Sequence, residues 1–134
     1  MTQHPAGIVE IVDSADGINW HKGECVEIYR MGPLYDVLGL HDICWREWLD
    51  KYGLATENPS GRPIIPDFPI FSKVCWMHID YVRLTLEELP ALIDECKRAE
   101  GMAEDEMVRH LFCRIEELTV KAQNMRAELE FGHP

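Results

Sequence analysis

The chain has 134 residues, 46% of them apolar. That is enough to bury a core without disulfide staples and too much for global disorder. Its 24 acidic side chains outnumber 13 basic ones, a net charge of −11 spread along the whole length, which disfavours nucleic-acid and membrane-surface roles and favours a basic protein partner.

No stretch approaches the roughly 20 apolar residues of a membrane span. The start, MTQHPAGIVEIV, lacks the basic and long apolar segments of a secretion signal. Five cysteines make an odd set without a regular disulfide framework, which points to free thiols in a reducing, cytoplasmic setting. Together these features describe a single acidic globular domain over 1–134.

Ile8 to Val12 is short, β-branched and alternating, and predicts a strand. Turn residues from Asp13 to Gly23 separate it from a second alternating run, Cys25 to Met31. There Cys25, Glu27, Tyr29 and Met31 share one face, and Val26, Ile28 and Arg30 the other. The two runs predict a small N-terminal β pair, which needs helices to cover it.

Pro33 opens a helical pattern, since its fixed φ and missing N–H suit a first turn. Leu34, Val37, Leu38, His41, Trp45, Trp48, Leu49 and Tyr52 continue it to Gly53, with Gly39 and a capping Asp42 as a possible break. Three prolines and two glycines make 53–66 a loop. Asp67 is placed to cap a helix over Phe68 to Ile79, with Phe71, Val74, Cys75, His78, Ile79 and Val82 as its stripe. A strand over 74–84 is the alternative.

Thr85-Leu86-Glu87-Glu88 is a capping box that opens a helix running to about Arg98 and ending at Gly101. Pro90 in this helix removes the bond to the Leu86 carbonyl and bends its start. The last helix is expected from about Ala103 to Glu130. Val108, Leu111, Ile115, Leu118, Ala122, Met125 and Leu129 form a heptad seam along it. Packed on the preceding helix, it makes an antiparallel hairpin; packed on a second copy over residues 108–129, it makes a homodimer. The expected fold is α+β and mainly helical: a short N-terminal β pair packed on three to four helices, with a C-terminal antiparallel hairpin.

Three cysteines lie three residues from a histidine: His41 with Cys44, Cys75 with His78, and His110 with Cys113. A fourth, Cys25, follows His21 by four. Helical i, i+3 spacing puts two soft ligands on one face, and Cys75, His78, His110 and Cys113 have the ligand types and number of a zinc site. Ordinary core packing explains the first two pairs as well. His110 and Cys113 fall outside the seam, so another element covers them or they serve chemically. His41, Asp42 and Cys44 name a thiol-catalytic trio, but adjacent helical residues diverge by about 100°, so Asp42 is poorly placed to orient the ring. No phosphate loop, nucleophile elbow or HExxH pattern is present, so a non-enzymatic role is expected.

The leading expectation is therefore an inhibitor- or immunity-like binding module. It would dock a basic protein through acidic and aromatic surface: Trp76, Glu87, Glu88, Asp94 and Glu95. A zinc-binding domain using Cys75, His78, His110 and Cys113 and a helical homo-oligomerisation scaffold are the alternatives; zinc is the one cofactor these residues suggest.

Overall fold

The computed structural model describes residues 5–12, 20–39, 65–74 and 81–132, with the side chains of 20–23 excepted. The elements in chain order are β1 (Gly7–Val12), β2 (Trp20–Ile28), α1 (Met31–Leu38), α2 (Pro69–Val74), β3 (Val82–Leu84), a 3₁₀ turn (Leu86–Glu88), α3 (Leu89–Met102), α4 (Glu106–Met125) and β4 (Glu128–Gly132). The fold is mixed: an antiparallel four-stranded sheet with helices that hold most of the described residues.

The expected β pair is present and is half of the sheet. Strand order is β2-β1-β4-β3, so the C-terminal strand lies in the centre, between β1 and β3. Val9 stands opposite both Val26 and Phe131, and Ile11 opposite Leu129, which in turn faces Leu84. All six are buried, as is Ile28. Period-2 alternation thus gives the sheet one apolar face and sends Cys25, Glu27 and Tyr29 to the other.

The helices complete the core. α4 packs on β1, β2, β4 and α3, while α3 also meets α1 and α2. α4 buries Phe112, Ile115, Leu118, Thr119 and Ala122, a 3.6-residue stripe broader than a heptad seam. Phe112 meets Phe71 of α2 edge to face, with centroids 5.4 Å apart and planes at 87°. Seam residues Ile115, Leu118 and Ala122 are thus already covered by this chain.

Several expected boundaries move. The second strand starts at Trp20 and stops at Ile28, and Met31 begins α1, two residues before Pro33. Gly39 ends that helix at φ 75°, the left-handed conformation glycine tolerates without strain. Val82 lies in a strand, not on a helical stripe; Cys75–Asp80 lie outside the described residues. Pro90 falls in the first turn of α3, because the capping-box residues form a separate 3₁₀ turn before it. Glu88 Oε1 accepts from the Thr85 N–H at 3.1 Å, as the capping box requires. The last helix starts after Asp105, whose carboxylate accepts from the N–H groups of Met107 (2.7 Å) and Val108 (3.4 Å). It stops at Met125: Arg126 turns the chain at φ 53°, and Leu129 belongs to β4.

Asp67 does not cap α2. It is exposed in the preceding turn, and its carbonyl accepts from Arg98, whose guanidinium lies 5.7 Å from the Phe68 ring centroid. The capping carboxylate comes instead from Glu95 of α3. It accepts from the N–H of Ile70 at 3.0 and 3.1 Å and from that of Phe71 at 3.0 Å.

Candidate functional site

The sheet face turned away from the helices carries its charge in rows. Register places Glu10 of β1 between Cys25 of β2 and Glu130 of β4, and Glu130 opposite Arg83 of β3. Arg83 pairs with Glu130 at 3.0 Å and reaches Glu128 at 3.8 Å. Among the described residues no cation pairs with Glu10. Burial first, and the facing Glu130 second, raise its carboxyl above the usual range. Burial also raises the Cys25 thiol, with Glu10 and Glu27 adding to the effect and Arg114 opposing it.

Glu27 of β2 and Tyr29 just after it continue the same face, with the Tyr29 hydroxyl donating to the Glu27 carboxylate. Tyr29 is 45% exposed and Tyr81 61%. A Cβ added at Gly132 would stand 2.3 Å from the Tyr81 ring, so this glycine is what lets the ring lie against β4. Four carboxylates (Glu10, Glu27, Glu128 and Glu130) therefore share the face with Arg83 and two exposed tyrosines.

The residues singled out in the sequence are dispersed. Cys75, Trp76 and His78 lie outside the described residues, as do His41 and Cys44. Glu87 and Asp94 are exposed. Glu88 is engaged at home: burial pushes its carboxyl up, but the hydrogen bonds from Lys73 (2.7 Å) and Thr85 outweigh this and hold it below the usual range. Glu95, expected on an acidic surface, is 3% exposed and turned into the core. Among the described residues no three histidine, cysteine or acidic side chains converge to hold a metal ion.

His110 is exposed, whereas Cys113 is half-buried between α4 and α3. The Cys113 Sγ donates to Glu100 Oε1 at 2.6 Å. That bond, with burial and the Glu100 charge, pushes the thiol up to about 11, so it stays protonated at neutral pH. Glu100 also acts on the neighbouring Glu116 carboxyl, since two like charges close together disfavour ionisation of Glu116. Glu116 is raised to about 7 by a side-chain hydrogen bond with Glu100, then by burial and the Glu100 charge, with Lys97 opposing. One oxygen of each carboxyl is buried without a hydrogen-bond partner.

This pair sets a pH dependence. The folded value of about 7 lies above the ordinary 4.5. The folded state thus binds the extra proton between those limits, and stability falls as pH rises through that window. Glu116→Gln removes the titration. The variant should match the parent near pH 4.5 and exceed it above pH 7, by about 1 kcal/mol after solvent screening. Urea unfolding at both ends of the window checks this; an equal difference at both would reject the raised Glu116 carboxyl.

Comparison with known protein families, curated proteins and solved structures finds no match for this chain.

Proposed function

We propose that the protein is a binding module that docks a basic protein partner on the outer face of its sheet. The observation that carries this reading is the Glu10–Glu130 pair, two like charges directly opposite each other on neighbouring strands. Such a pair costs stability. A lysine or arginine from a partner would offset that cost, and the flanking Tyr29 and Tyr81 would supply aromatic contact area. The −11 charge would draw such a partner in, with Glu87 and Asp94 adding to the field. On this reading the chain acts as a single acidic domain, with α3 and α4 as an antiparallel hairpin behind the sheet. Its free Cys25, Cys96 and Cys113 thiols suit a reducing, cytoplasmic compartment.

The test titrates the ¹⁵N-labelled protein with decalysine as a basic probe. Amide shifts should concentrate at residues 8–12, 25–29 and 128–132, and affinity should fall at least about tenfold between roughly 50 and 300 mM salt. Glu10→Gln should weaken binding while raising fold stability by a few tenths of a kcal/mol, about 0.2–1. Salt-insensitive binding, or shifts confined to other surfaces, would remove the proposal.

A further inference from the structure

A groove of about 890 Å³ opens between the end of β2 and the first half of α4. Its size falls within the roughly 300–1,000 Å³ typical of small-molecule sites. One wall comes from Glu27 to Arg30 with Pro33, and the other from Asp105 to Leu111 with Cys113 and Arg114. The groove is less acidic than the chain as a whole, because it gathers Arg30, Arg109, Arg114 and His110 beside three carboxylates.

Of those three carboxylates, two are held by neutral donors. Glu27 accepts from the Tyr29 hydroxyl, and Asp105 from the N–H groups that start α4. Glu106 remains exposed. Arg109 donates to the neutral Ala103 carbonyl at 2.8 Å and so keeps its full charge. Arg30 and Arg114 are exposed, and among the described residues neither forms an ion pair or hydrogen bond. Beside these cations lies apolar surface: Tyr29, Val108, Leu111 and Met107, the last 83% exposed.

We infer that this groove binds a small organic anion: an aryl or alkyl body carrying one carboxylate or phosphate, held by Arg30 and Arg114 and laid against Tyr29 and Met107. Planar guanidinium groups suit both anions, because two parallel N–H donors match two anionic oxygens. The apolar wall gives no reason to favour a bare inorganic ion. The anion would sit on Arg30 and Arg114, whereas the basic-partner proposal rests on Glu10 and Glu130; the two sites adjoin at Glu27 and Tyr29.

The test is a titration of the full ¹⁵N-labelled chain with phenyl phosphate and with phenylacetate, alongside inorganic phosphate. Saturable shifts at residues 28–33 and 106–114 with either aromatic anion, and weaker ones with inorganic phosphate, are expected. Arg30→Gln and Arg114→Gln, both on exposed side chains, should each weaken binding by about tenfold without altering the circular dichroism spectrum. Three results would overturn the inference: no saturable shift with either aromatic anion, saturation that both variants leave unchanged, or equal binding of inorganic phosphate. Shifts from phenylacetate alone would assign a carboxylate ligand, and from phenyl phosphate alone a phosphate ester.

Discussion

Phe112→Ala is expected to lower the unfolding free energy by about 3–5 kcal/mol. Phe112 is fully buried on α4. Its ring meets Phe71 of α2, which in turn stands 6.4 Å, centroid to centroid, from Phe68. The aromatic contacts join α2 to α4, which are far apart in sequence, so truncation opens a cavity where the two helices meet. Two costs add: the lost transfer energy of the ring, and the lost dispersion contacts around the cavity. Urea unfolding should register a lower midpoint with little change in slope. Phe112→Leu should recover more than half of the loss, because it restores most of the volume. A loss under about 1 kcal/mol for the alanine variant would mean that the ring is not part of a tight core.

Phe112 also illustrates what the sequence made legible. The apolar spacing along 108–125 correctly marks a helix, but a heptad frame places Phe112 beside the seam instead of on the buried face. A helix against a sheet and a second helix buries a wider stripe than a coiled coil does, and Phe112 and Thr119 widen it here. The features read correctly rest on local chemistry: the Thr85–Glu88 box, Gly39 as a helix end, and the alternation of Ile8 to Val12. β4 was not legible, because no glycine or proline marks the end of α4. Arg126 takes the left-handed turn itself, at a cost of about 1 kcal/mol for a residue with a Cβ. What makes that turn worthwhile is non-local. With β4 in place, Leu129 and Phe131 fill the gap between β1 and β3, and both strands gain a hydrogen-bonded neighbour. The sheet-face carboxylates were missed for the same reason, since Glu10 and Glu130 come together only through that pairing.

Glu95→Ala should cost about 3 kcal/mol and lower Tm by roughly 10 °C, a large effect for a residue whose neighbour Asp94 is exposed. The sequence does carry a signal for this difference. Glu95 stands three residues after Leu92 and four before Ala99, on the buried stripe of α3. A carboxylate in that position must find donors or remain protonated. It finds them at the start of α2, where the Ile70 and Phe71 N–H groups have no partner within their own helix. Burial nevertheless raises its carboxyl above the usual range, with the two backbone bonds and Arg98 acting against that rise. The bonds therefore do not fully offset desolvation, and the ion is held at a net cost. Deletion still destabilises, because it strands two N–H groups in the core and detaches α2 from α3. Glu95→Gln keeps one acceptor oxygen, so about half of the loss should return. Amide exchange at Ile70 and Phe71 separates this local role from general weakening. In the alanine variant those amides should exchange faster by a larger factor than those of Ile115 and Leu118 on α4. Uniform acceleration across both helices, or a loss under about 1 kcal/mol, would remove Glu95 as the tether between α2 and α3.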